Sequence, residues 1–163
     1  MINEKTLPIN NCVNCDIKID KNGVWYFKGA EMIRRDIVIL FYKLLYRDAD
    51  GRYFIESNGD RHPVEVEDTP FIVKKVDKID QCENGGQKIL ITLSDETVES
   101  LDPETLTIGN DNVMYCTVKN KRFAASFSRA GYYQLAEYIE YCIEKEKFII
   151  SLNDKHFIIK SSY

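Results

Sequence analysis

Phe54-Ile55-Glu56-Ser57-Asn58-Gly59-Asp60-Arg61-His62-Pro63-Val64 aligns without gaps on Phe148-Ile149-Ile150-Ser151-Leu152-Asn153-Asp154-Lys155-His156-Phe157-Ile158. Five of the eleven pairs are identical, and Arg61/Lys155 and Val64/Ile158 are conservative. The offset is 94 residues; carried upstream, it sets Ile33-Arg34-Arg35 on Phe127-Ser128-Arg129. A fixed offset bears on architecture before any motif is weighed, because each residue then has a counterpart expected to fold in the same way.

Each copy also has a pattern of its own. Ile33, Ile37, Leu40, Phe41, Leu44 and Leu45 recur at helical spacing and predict an amphipathic helix ending near Arg47. Tyr132, Leu135, Ala136, Ile139, Cys142 and Ile143 predict a second, running to about Glu144, with Ser128 as its N-cap. Asn58-Gly59 is a strong two-residue hairpin signal, and a second turn is expected near Asn153-Asp154. Hairpins are also expected before each helix, turning at Lys21-Asn22-Gly23 and at Asn120-Lys121. The unit is β-β-α-β-β, used twice.

Between the copies, Phe71 to Val76 and Lys88 to Leu93 read as strands joined by a loose turn over 81–86, and a short strand around Thr97 to Leu101 is stopped by Pro103. Residues 67–112 hold eleven acids against four bases, so the connector is the acidic part. The expected organisation is a tail at 1–11, a first repeat half at 12–66, a β connector at 67–112 packed with both halves, and a second half at 113–163. The fold class is α+β, with an internal duplication joined by antiparallel strands.

Cys15-Asp16-Ile17-Lys18-Ile19, Gly23-Val24-Trp25-Tyr26, Ile33-Arg34-Arg35, Asp50-Gly51-Arg52-Tyr53, Val66-Glu67-Asp68-Thr69-Pro70-Phe71 and Phe127-Ser128-Arg129-Ala130-Gly131-Tyr132-Tyr133 resemble the bacterial family known as domain of unknown function 1285. The likeness runs from about Cys15 to Lys160. It implies a duplicated core, a C-terminal half similar to pleckstrin-homology domains, no established activity, a suggested nucleotide-like ligand between the halves, and a suggested signalling role. Ser57-Asn58-Gly59-Asp60 stands where the family usually has Thr-Pro-Val-Glu, which puts any ligand contact at that loop in doubt.

The 163 residues allow one domain or two small ones, and 44% hydrophobic residues are enough for a core. A net charge of −4 opposes a nucleic-acid backbone unless a basic face is segregated. The first residues carry no export pattern, and the apolar stretch from Ile37 to Leu45 is too short to span a bilayer. Five cysteines without a signal peptide predict free thiols in the cytoplasm.

Chemistry is sparse. Cys12-Val13-Asn14-Cys15 has thiolate-pair spacing without a second pair, so no metal is expected. His62 and His156 sit past equivalent turns, and duplication explains both. No Gly-x-Ser-x-Gly, Walker or dinucleotide motif is present, so neither catalysis nor a cofactor is expected. Arg35 and Arg129 fall in the first turns of their helices, where a cation gains nothing from the helix dipole. Each should therefore face an anion, either a carboxylate such as Asp68 or a bound phosphate. In Glu67-Asp68, before Pro70, Asp68 caps a turn or pairs with Arg35 or Arg129; otherwise the two carboxylates bind a ribose, amine or cation. Trp25 is core or a stacking platform, and Tyr132-Tyr133 puts one ring toward the core and the other toward a groove.

The leading expectation is a non-enzymatic ligand-sensing or regulatory module with a small anionic, nucleotide-like ligand between its halves, touching Trp25, Arg35, Glu67, Asp68, Arg129, Tyr132 and Tyr133. The alternative is a protein-interaction module that uses exposed strand edges and no small ligand. Oligomeric state is left open.

Overall fold

Apolar residues at every second position put Ile17 and Ile19 into a core and turn Lys18 outward, as a half-buried strand requires. That strand, β1 (Ile17–Ile19), opens the first of two units in the computed structural model, which describes residues 15–161 and divides after Pro70. The tail at 1–11 and Cys12 lie outside the described residues. β2 (Trp25–Phe27), β3 (Ala30–Glu31), α1 (Arg35–Leu44), β4 (Leu45–Arg47), β5 (Tyr53–Ser57) and β6 (Asp60–Val66) follow. They build one sheet in the order β3-β2-β1-β6-β5-β4, antiparallel except where β1 runs parallel to β6. Ile17, Ile19, Trp25, Ile55, Val64 and Val66 from the sheet, with Val38 and Tyr42 of α1, form its core.

The second unit contains β7 (Phe71–Ile79), β8 (Lys88–Leu93), β9 (Val98–Ser100), β10 (Thr107–Ile108), β11 (Met114–Val118), β12 (Phe123–Phe127), α2 (Arg129–Ala136), β13 (Ile139–Cys142), β14 (Lys147–Leu152), β15 (Lys155–Ile158) and β16 (Lys160–Ser161). A seven-stranded sheet runs β16-β10-β11-β12-β7-β8-β9, and β13-β14-β15 form a sheet of three. β7 to β9, read from the sequence as a connector, belong to this unit, because β7 pairs in parallel with β12. The architecture of the described residues is α+β, mostly strand, with mixed sheets and two α-helices.

Both helices end earlier than the apolar spacing predicts. Leu45 leaves the helical region at ψ 128° and starts a strand opposite Ile55. Ile139 to Cys142 likewise leave the helix to pair with β14. Ile139 and Tyr141 are of the branched and aromatic types that suit a pleated surface, so the sheet takes residues that would also have continued the helical stripe. α1 buries Val38 and Tyr42, and of the predicted stripe Ile33 is 85% exposed and Leu40 50%.

Residues 33–66 and 127–160 share the order helix, strand, strand, strand. Their sheets differ: β6 joins β1, whereas β13 to β15 stand as a sheet of their own. The turns at Asn58-Gly59 and Asn153-Asp154 have positive φ at both central residues, as two-residue hairpins require, but they lie 95 residues apart rather than 94. His62 therefore faces Ile55 while His156 faces Ser151, so the two histidines are not equivalent: one residue of slip reverses the face of a strand.

Free thiols throughout were expected, but Cys15 is disulfide-bonded, with Cys82, Cys116 and Cys142 free. Burial, with a smaller push from Glu99, raises the Cys116 thiol to about 12 and leaves it unreactive.

Candidate functional site

The seven residues singled out from the sequence fall into three settings. Trp25 is 1% exposed, its ring edge-on to Phe41 at 5.9 Å and to Tyr42 at 5.0 Å. It fills the core and offers no face to a ligand. Its indole Nε1 is shielded and has no acceptor among the described residues.

Glu67 follows β6, held there by its amide donating to Ile19 O at 2.9 Å. Its carboxylate accepts from the Lys21 amide at 3.3 Å and lines a hollow of about 450 Å³ with Asp16, Lys18, Asp20, Tyr26 and Glu65. Alternation explains the set: Lys18 lies between the buried Ile17 and Ile19, directly opposite Tyr26 on β2 and Glu65 on β6. Lys18 Nζ is 3.5 Å from Glu65. Asp20 accepts from the amides of Asn22 at 2.8 Å and Val24 at 2.9 Å and from the Tyr26 hydroxyl at 3.4 Å. Desolvation, then the charges of Asp20, Glu31 and Glu67, raise the Tyr26 phenol above its ordinary range. Four carboxylates around one lysine make the hollow negative, hostile to phosphate and suited at most to a cation, an amine or hydroxyl groups. Arg35 opens α1 and is exposed, and Asp68 follows Glu67; neither is without a partner.

Arg129, Tyr132 and Tyr133 come together on α2. The Ser128 hydroxyl caps the helix by accepting from the Gly131 amide at 3.1 Å, and the Ser128 amide donates to Val73 O at 3.0 Å. Gln134 Oε1 accepts from the Val76 amide at 2.8 Å, so the helix is anchored on β7 at both ends. On this support the Arg129 guanidinium lies over the Tyr133 ring, 5.9 Å from its centre, and the Tyr132 ring meets Tyr133 edge-on at 5.8 Å. Tyr133 is 59% exposed and Tyr132 half-buried, so one ring turns inward and the other out. A guanidinium beside an exposed ring can pair with an oxyanion while the ring stacks on a planar group.

The sequence reading missed Tyr26, Asp16 and Asp20 and did not single out Lys18 or Glu65. Their signal is the polar member of each alternating pair beside a core strand. His156 Nδ1 is 2.8 Å from Ser151 Oγ in an exposed cross-strand pair. Among the described residues no group of three or more His, Cys, Asp or Glu side chains could hold a metal ion, and no helix is long and apolar enough to cross a membrane.

Residues 7–69 match the family model of the N-terminal domain of DUF1285, a domain of unknown function. The fold is similar to the crystal structure of a DUF1285 family protein from Silicibacter pomeroyi DSS-3, at 21% identity and a TM-score of 0.74, covering 91% of this chain and 81% of that one. It is also similar to that of a DUF1285 family protein from Shewanella baltica OS155, at 20% identity and a TM-score of 0.61, covering 75% of this chain and 91% of that one. At such identities the likeness to these structures is one of fold. No curated protein matches the chain.

Proposed function

The chain resembles the DUF1285 family, through its own motifs and the match over residues 7–69, and from that premise we propose a non-enzymatic ligand-sensing module for a small anionic, nucleotide-like ligand. The observation that carries the proposal is the exposed Arg129–Tyr133 pair on a helix anchored to β7. Arg129 takes the anion, and Tyr133, backed by Tyr132, takes the planar group. Glu67 is not part of this contact, because its hollow is acidic. Calorimetric titration of the full chain with a panel of nucleoside phosphates tests the proposal. One of them should bind saturably and lose roughly tenfold or more in affinity in Arg129→Ala, the range for a charge-assisted hydrogen bond, with the melting temperature unchanged. No binding by any of them, or wild-type binding in the variant, rejects it.

A protein-interaction module is the second reading, supported by the β13–β14 hairpin. Tyr141 and Phe148 meet there edge-on at 5.3 Å on the exposed side, and Ile143 is 82% exposed. On this reading Ile143→Asp abolishes binding to a purified partner while nucleotides leave the chain unchanged.

We also infer that 33–66 and 127–160 derive from one duplicated unit, supported by their common element order and by an arginine opening each helix. The proposed pleckstrin-homology likeness of the C-terminal half draws support from a sheet followed by α2. Superposition of the two stretches in a crystal structure tests the duplication; helices that fail to coincide when the strands do would reject it.

A further inference from the structure

Between β11 and β12 the chain turns through Lys119-Asn120-Lys121-Arg122, and three successive non-glycine residues there hold positive φ: 54° at Lys119, 56° at Asn120 and 62° at Lys121. Side chains disfavour this region, asparagine least, so a run that includes two lysines is strained and persists only where its surroundings compensate. The strained run fixes the direction of its amides. The Lys119 N–H donates to both carboxylate oxygens of Glu99, at 3.1 and 3.4 Å, while the amides of Asn120 and Lys121 have no acceptor among the described residues.

This turn walls a hollow of about 480 Å³ in the second unit. Arg122 lines it, with no carboxylate partner among the described residues; its Nε donates to Lys119 O at 3.1 Å. Lys121 gives one of its donors to Asp102, at 3.3 Å, on the exposed side. Thr117, on the same wall, has its hydroxyl oxygen shielded from water and without a hydrogen-bond partner among the described residues. Shielded as it is, that hydroxyl is closed to an occupant of the hollow, which meets instead the amides of the turn and the Lys121 and Arg122 side chains. Glu99 already places one oxyanion on this turn, so the chain itself demonstrates the chemistry that the turn accepts.

We propose that this hollow binds a small phosphate monoester on Lys121, Arg122 and the amides of the turn, with the Glu99 carboxylate occupying the oxyanion position when the ligand is absent. A dianion brings more charge and more acceptor oxygens than one carboxylate, so it displaces Glu99 rather than adding beside it. The site is separate from Arg129 and Tyr133 and does not depend on them.

The test is an amide-resolved NMR titration of the full chain with phenyl phosphate, with sodium chloride at equal ionic strength as the control. The expected result is saturable movement of the Glu99 and 117–122 resonances with phenyl phosphate and none with chloride. Arg122→Ala should bind about tenfold more weakly, the effect of losing a charge-assisted hydrogen bond. Glu99→Gln, which removes the competing charge, should bind several-fold more tightly. Absence of saturable movement at these amides in both wild type and Glu99→Gln overturns the proposal, as does an affinity unchanged by Arg122→Ala. Movement confined to Arg129, Tyr132 and Tyr133 would overturn it while leaving the α2 contact in place.

Discussion

Lys119 Nζ lies 2.6 Å from Asp95 Oδ2, with the lysine side chain 20% exposed and the aspartate 10%. The same ammonium donates to Thr97 Oγ1 and sits 5.3 Å from the centre of the Phe71 ring. An ion pair this sheltered loses most of its water, and its worth depends on neither partner being left alone. Asp95→Ala should therefore cost about 2 kcal/mol, discounted from the fully buried case for the remaining exposure. The double change Asp95→Leu with Lys119→Met should cost less than Asp95→Ala alone. Urea denaturation of wild type and the two variants checks this; a double variant that loses as much as Asp95→Ala or more would mean that the two side chains do not act as a pair.

The same aspartate sets an acid limb. Burial raises the Asp95 carboxyl, but the hydrogen bonds from Lys119 and Thr97 and the lysine charge outweigh it, and the net shift is downward. A depressed carboxyl contributes stability that is fully present above its unfolded value, about 3.9, and lost as the pH falls through the folded value. Wild type should lose stability below about pH 4, and Asp95→Asn, with no carboxylate to protonate, should show a shallower loss over the same window. Denaturant midpoints from pH 6 to pH 2.5 compare the slopes, and parallel curves would remove Asp95 from the account.

What could be read in the sequence was local. Asn58-Gly59 and Asn153-Asp154 mark their turns because positive φ favours glycine, asparagine and aspartate, and Asn120 marks its own although Lys121 beside it is of a type that region disfavours. Ser128 marks its helix start because a cap oxygen has one position to occupy. The helix ends could not be read: Leu45 and Ile139 satisfy a helical stripe and a strand equally, and only the partners Ile55 and Ile150 decide between them. Arg129 and Tyr133 were visible as helix neighbours four apart, whereas Asp16 and Asp20 reach Glu67 only through the parallel pairing of β1 and β6, which no local pattern announces.

Trp25 is the single tryptophan, so it reports on the first unit without interference. Buried at 1% exposure between Phe41 and Tyr42, it should emit to the blue of free tryptophan and resist iodide quenching. Addition of nucleoside phosphates should leave its spectrum unchanged, since no ring face is open to them. Trp25→Ala should cost about 3–5 kcal/mol, the range for emptying an aromatic site in a core. Strong quenching by a nucleotide would instead return Trp25 to the ligand contact expected from the sequence.

Gly131 supports the α2 contact through the space it leaves. A Cβ there would stand 2.6 Å from Val73 O, a backbone atom that cannot rotate away, and 3.3 Å from Ser128 Oγ. Two effects oppose one another in Gly131→Ala. Alanine favours the helix by about 1 kcal/mol over glycine. The clash instead forces α2 off β7, stretching the Ser128–Val73 bond and the Ser128 cap, and overpacking of this kind costs about 1–3 kcal/mol. Because the obstruction is main chain, the clash should win: the variant should melt lower than wild type, and the exchange protection of the Ser128 and Val76 amides should fall with it. Any nucleotide affinity should weaken as Arg129 and Tyr133 move with the helix. A variant as stable as wild type, with both amides protected, would show that α2 shifts without loss and that its seating on β7 is not what fixes the Arg129–Tyr133 pair.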